Sequence, residues 1–113
     1  MTARLTARMT VDALRRRVTG AGGFAAVLAR GDEIAGAILL VLVERGEPRA
    51  MLEHVSSLDG GRRWTRTGPQ QPASPESQAD YLARRRRSDP DLWVVELDIP
   101  DAERFIAESS GVD

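Results

Sequence analysis

Cysteine is missing from all 113 residues, so disulfide staples, thiolate-bound metals, iron–sulfur clusters and thiol nucleophiles are excluded. The lone histidine, His54, cannot assemble a multi-histidine zinc site. Lysine is also missing, and all 16 cationic side chains are arginine. Aromatic residues make up only 4% of the chain, which leaves few stacking platforms for single-stranded nucleic acid. Long apolar runs are lacking as well. The longest, Ile34 to Val43, is ten residues, whereas a membrane-spanning helix needs about 20. Met1 to Thr10 carries Arg4 and Arg8 and no apolar secretory core. These absences predict a cytoplasmic protein with no membrane association, metal or cofactor.

What is present is the composition of an ordinary folded domain, 42% apolar and 29% charged. The length fits one domain over residues 1–113, able to bury a core without staples. The net charge of −1 does not indicate a globally basic nucleic-acid binder. Its distribution is uneven: residues 1–66 hold 11 arginines and 7 acids, residues 67–113 hold 5 arginines and 10 acids.

Leu5 to Arg8 reads as a short strand leading into a helix capped by Thr10, with Asp12 in its first turn. Val11, Leu14 and Val18 follow helical spacing toward a core, and Gly20-Ala21-Gly22-Gly23 stops the helix. Phe24 to Arg30 and Ile34 to Glu44 then read as strands joined by a hairpin turn at Gly31-Asp32-Glu33. The second is apolar on both faces, with Ile34, Ile38, Leu40 and Leu42 on one and Leu39, Val41 and Val43 on the other. Such a strand belongs mid-sheet or beside a subunit interface.

After a turn at residues 44–48, Arg49 to Val55 and Arg62 to Thr67 read as third and fourth strands flanking the turn signal Asp59-Gly60-Gly61. A proline-bearing loop from Gly68 precedes a helix with Ser74 as cap and Pro75 as its first residue, running to about Arg87 with Ala79, Leu82 and Ala83 as its apolar stripe. Leu92 to Asp98 reads as a last strand, and Pro100 opens a short helix carrying Phe105 and Ile106. The predicted class is α+β: an antiparallel sheet of about five strands, a meander plus a C-terminal strand, with two main helices packed on one face and a short C-terminal helix.

Three features compete as sites. Arg84-Arg85-Arg86-Arg87, with Arg15, Arg16 and Arg17, could form an anion-binding patch, although cations at a helix C-terminus also suit its dipole. The greasy strand offers Ile34, Ile38, Leu40 and Leu42 as an interface for self-association or a partner protein. The acids Asp89, Asp91, Glu96, Asp98 and Asp101 lack the spacing of a calcium loop. No group near His54 in the sequence suggests general base chemistry, and no catalytic residue is assigned.

Three segments are recognisable together: Val11-Asp12-Ala13-Leu14-Arg15-Arg16; Gly22 to Leu28 running into Arg30-Gly31-Asp32 and Ala35 to Leu39; and Tyr81-Leu82 with Asp89-Pro90-Asp91-Leu92-Trp93-Val94-Val95-Glu96. In order and spacing they resemble the short bacterial proteins grouped as domain of unknown function 1491. The resemblance implies one domain and brings no activity. The reading that emerges is a non-enzymatic binding or assembly module acting through a sheet face or edge. The alternative is a weak phosphate or nucleic-acid binder using arginines on two helices.

Overall fold

In the computed structural model, residues 5–56, 62–69 and 74–110 are described. The order of elements is α1 (Ala7–Gly20), β1 (Phe24–Ala29), β2 (Ile38–Glu44), β3 (Glu47–Ser56), β4 (Arg62–Thr67), α2 (Pro75–Ser88), β5 (Trp93–Asp98) and α3 (Ala102–Ser110). The α+β class and five strands agree with the sequence. The turn at Asp59-Gly60-Gly61 and part of the proline-bearing loop lie outside the described residues.

The sheet is mixed rather than antiparallel. Its order is β1-β5-β2-β3-β4, and β5 runs parallel to β2. The expected hairpin between the first two strands therefore does not form. β5 inserts between them, with Ala26 opposite Glu96 on one side and Val41 beside Glu96 on the other. The residues read as a tight turn build a longer loop instead. The Asp32 carboxylate accepts the N–H groups of Ile34 and Ala35, at 3.1 and 2.8 Å. The Asp32 N–H donates to the Asp91 carbonyl, and the Trp93 indole donates to the Asp32 carbonyl at 2.7 Å. Gly31 and Gly36 admit that approach, because a Cβ on either would collide with the Asp91 carbonyl oxygen.

α1 starts earlier than Thr10. Thr6 is the cap, accepting the Met9 N–H, while Thr10 lies inside the helix and bonds back to the Thr6 carbonyl. The next two free donors, the Ala7 and Arg8 N–H groups, reach the carbonyls of Ile34 and Glu33, which satisfies orphan groups of a helix start. Leu5–Arg8 is accordingly not a strand. The C-terminus behaves as the glycines foretell. Gly22 takes φ +91°, and the Gly23 and Gly22 N–H groups return to Val18 and Thr19, the paired bonds of a Schellman stop.

β2 is buried from Ile38 through Val43, as the two-faced apolar pattern predicts. The chain covers both faces itself. Ile38, Leu40 and Leu42 join α1, α3 and residues of β3 and β5 in one core. Leu39, Val41 and Val43 join Met51, Leu92 and Val94 in a second, against which Tyr81 and Leu82 of α2 pack. The two main helices thus lie against opposite faces rather than sharing one. The sheet-facing side of α2 is Gln78, Tyr81 and Leu82, while Ala79 and Ala83 of the expected stripe are exposed. Its cap is as expected, with Ser74 accepting the Ser77 N–H and Pro75 at the first helical position.

β2 and β3 are joined by the two-residue turn Arg45-Gly46, with φ +54° and +79° and Glu44 opposite Glu47. Both central residues of such a turn need positive φ, which suits asparagine and glycine and strains arginine. The Asp98 carboxylate holds the turn by accepting the Arg45 and Gly46 N–H groups at 2.9 and 3.1 Å. Arg45→Asn is expected to stabilise the fold by about 1 kcal/mol, read as a raised urea midpoint with an unchanged slope.

Candidate functional site

The interface residues inferred from the sequence are mostly unavailable. Ile38, Leu40 and Leu42 are at most 1% exposed beneath the chain's own helices. Only Ile34, displaced from β2 into the preceding loop, is open, at 68%. Large apolar side chains are also exposed around the start of α1, at Leu5 and Met9, and on β1, where Phe24 is 77% and Leu28 53% exposed. β1 alternates exposed and half-buried along its length. Ala25 and Val27 pack toward the core under α1, which leaves Phe24 and Ala26 on the opposite face. A register shift between Val27 and Ala29 puts a bulge at Leu28. β1 ends the sheet, so its outer backbone edge has no strand beside it among the described residues.

The arginine clusters do not converge, because α1 and α2 belong to different cores. The run at the end of α2 is divided by helical geometry. Arg85 turns inward and grips Glu53 of β3 with two bonds of 2.7 and 2.8 Å, while also donating to the Tyr81 hydroxyl at 2.9 Å. The Glu53 hydrogen bonds hold this guanidinium protonated above the ordinary arginine range. Arg86 donates to the carbonyls of Pro90, Leu92 and Arg30, at 2.7, 2.8 and 3.3 Å. These two arginines fasten α2 and the following turn to the sheet. Arg84 and Arg87 are exposed.

On α1, Arg15 and Arg16 do face a feature, whereas Arg17 is exposed and lines neither cavity described below. A groove runs between α1 and β1. One end is a cavity of about 350 Å³ lined by Arg8, Asp12, Arg15, Val27, Arg30 and Trp93. The other is a more open hollow bordered by Arg15, Arg16, Thr19 and Ala25, among others. Val27 pairs with the start of α1 and Ala25 with its end, so helix and strand run antiparallel along the groove. Arg30 stacks over Trp93 at 5.7 Å from the ring centroid.

The sequence hid Arg8, Arg30 and Trp93 as members of this groove. The available signal was helical spacing: Arg8, Asp12, Arg15 and Thr19 fall on one stripe.

The remaining candidates are structural. His54 stacks on Trp64 across β3 and β4 at 4.4 Å. Asp98 holds the Arg45 turn, and Asp89 accepts the Asp91 N–H. Arg66 and Glu103 form a two-bond pair at 2.6 and 2.7 Å on the surface. Hydrogen bonding from Arg66 keeps the Glu103 carboxyl below the usual glutamate range. Among the described residues no three histidine, aspartate or glutamate side chains gather as metal ligands. No helix among them is long and apolar enough to cross a membrane.

Among the described residues the architecture is a mixed five-stranded sheet with helices on both faces and one open, uncharged edge. The chain belongs to the family described as "Protein of unknown function (DUF1491)", which matches residues 5–107. Structures of relatives agree. A crystal structure of a DUF1491 family protein from Caulobacter crescentus CB15 shares 36% identity over 87% of this chain and 91% of that one, with a TM-score of 0.76. An NMR structure of a DUF1491 family protein from the same organism gives 35% identity, 88% and 90% coverage, and a TM-score of 0.74. A solution structure of a protein from A. tumefaciens gives 36%, 88% and 89%, and 0.74. No curated protein matches the chain.

Proposed function

We propose that the chain is a non-enzymatic binding module of the cytoplasm that engages another polypeptide by adding an extended strand to the open edge of β1. The supporting observation is the contrast between the two edges of the sheet. β4, the far edge, has the sequence Arg-Arg-Trp-Thr-Arg-Thr. Charged side chains of that kind keep edge strands from pairing with other molecules. β1, with the sequence Phe-Ala-Ala-Val-Leu-Ala, has no charge, no proline and two large exposed apolar side chains. Its one protective device is the bulge at Leu28, which confines regular pairing to Phe24–Val27. Strand addition supplies main-chain hydrogen bonds for affinity and alternate side chains for specificity. A pairing this short suits a reversible complex.

Titration of the isotope-labelled chain with strand-forming peptides, and with itself by dilution, tests this reading. Amide signals of residues 24–29 should shift with at least one of these occupants. Ala26→Lys, a charge placed on an exposed edge position, should suppress the shifts without changing thermal stability. Shifts confined to other elements, or unaffected by Ala26→Lys, would refute edge binding.

A further inference from the structure

We infer that the strand docking on β1 comes from a different protein and is acidic on one face and apolar on the other. This rests on the edge reading above and adds the chemistry of the occupant. A strand laid beside β1 sends alternate side chains to opposite faces of the sheet. On the α1 side they enter the groove, and on the other they lie beside Phe24 and Ala26. Each side of the incoming strand therefore meets a different surface.

The groove side is cationic and its donors are poorly used. Arg8 stands 3.8 Å from Asp12 and 3.5 Å from Glu33, Arg15 stands 3.8 Å from Asp12, and Arg30 stands 3.7 Å from Glu33. Arg16 forms no ion pair among the described residues. Two carboxylates thus serve three guanidiniums and leave a fourth, Arg16, unpaired among the described residues, and each guanidinium carries five N–H donors. Arg66 and Arg85, by contrast, are fully engaged, with bonds of 2.6–2.8 Å to their carboxylate partners. A carboxylate arriving in the groove would find fork-shaped donors still open, the geometry that favours bidentate pairing.

The spacing is suitable. Arg8 and Arg15 are seven residues apart on α1, or about 10 Å along the axis. Acidic residues at alternate positions of a strand lie about 7 Å apart, so two or three of them span the arginine stripe. Beneath it, Val27 and Trp93 supply an apolar floor for the side-chain stems.

A second copy of the chain fits poorly. Its own β1 would offer only Ala25 and Val27 to the groove side. Two-fold pairing of β1 with β1 would also set the arginine stripes of both copies on one side of the joint, where like charges repel. An acidic partner removes both problems.

Peptides of alternating Glu and Val, Thr and Val, and Lys and Val, added to the full chain at low salt, test the inference by β1 amide shifts. The Glu peptide should bind at least about tenfold more tightly than the Thr peptide and weaken with salt. Arg15→Glu and Arg16→Glu together should remove that preference while leaving the Thr peptide's binding unchanged, which also shows that the variant folds. Equal binding of the Glu and Thr peptides would overturn the acidic partner and leave the edge reading intact. Concentration-dependent β1 shifts with no peptide binding would overturn it in favour of a second copy. Inorganic phosphate or single-stranded DNA competing better than the Glu peptide, without moving β1 amides, would overturn it in favour of a free anion site. Silence of β1 toward every occupant would remove the edge reading and this inference together.

Discussion

Gly31→Ala should destabilise the protein by about 3 kcal/mol, a large share of the margin that holds a domain of this size folded. The new methyl would collide with the Asp91 carbonyl oxygen and stand 2.7 Å from Cδ1 of Trp93. Neither neighbour can yield cheaply. The Asp91 oxygen is backbone and accepts the Asp32 N–H at 3.0 Å, and the Trp93 side chain is fixed by its own bond to the Asp32 carbonyl. Relief would require the loop from Arg30 to Ala37 to lift from the strand it crosses, breaking both bonds. Gly36→Ala meets the same oxygen, together with the Asp32 carbonyl oxygen at 2.8 Å, and should also destabilise. Gly20→Ala is the control, since nothing lies within 4 Å of a Cβ there. Urea unfolding followed by tryptophan fluorescence reads all three. A Gly31→Ala midpoint matching that of Gly20→Ala would show that the loop does not pack as described.

That loop also marks where the sequence stops being informative. Local chemistry is well written in this chain. Ser74-Pro75 starts α2, the Gly22 stop ends α1, and the unbroken apolar run Ile38–Val43 is a buried strand. The pairing of strands is not local. Arg30-Gly31-Asp32 has the letters of a hairpin, yet its glycine serves a contact with Asp91, sixty positions away. That contact accompanies the pairing of β5 with both β1 and β2, which no local pattern announces. The same insertion explains why the two-faced apolar strand needs no second molecule: it sits mid-sheet with helices on either side.

The candidate site was legible in the same partial way. Arg15 and Arg16 were visible as charges, but their neighbours Arg30 and Trp93 reach the groove only through the fold. The four-arginine run looked like one patch and is two anchors and two exposed side chains, because successive helical residues point about 100° apart. Phe24 and Leu28 had the letters of a core strand. Their exposure follows from β1 lying at the end of the sheet, a position no local pattern encodes.

Trp93 is where core, loop and groove meet, and its replacement separates their contributions. The side chain is 2% exposed in the core beneath α1 and borders the cavity that Arg8, Arg15 and Arg30 surround. Trp93→Ala should cost about 3–5 kcal/mol, from lost apolar contact and the cavity left behind, and should unfold a substantial fraction of molecules at 37 °C. Trp93→Phe keeps most of the apolar volume and loses the indole N–H that reaches the Asp32 carbonyl at 2.7 Å. Its cost should be smaller, about 1–3 kcal/mol, because the carbonyl is deprived of a partner while the core remains filled. The two variants therefore divide packing from hydrogen bonding at one position. Fluorescence from Trp64 remains as the unfolding probe in both. Should Trp93→Phe cost as much as Trp93→Ala, the loop's bond to the indole would outweigh core packing. Should Trp93→Ala cost under about 1 kcal/mol, the placement of β5 between β1 and β2 would be wrong, and with it the edge that β1 presents.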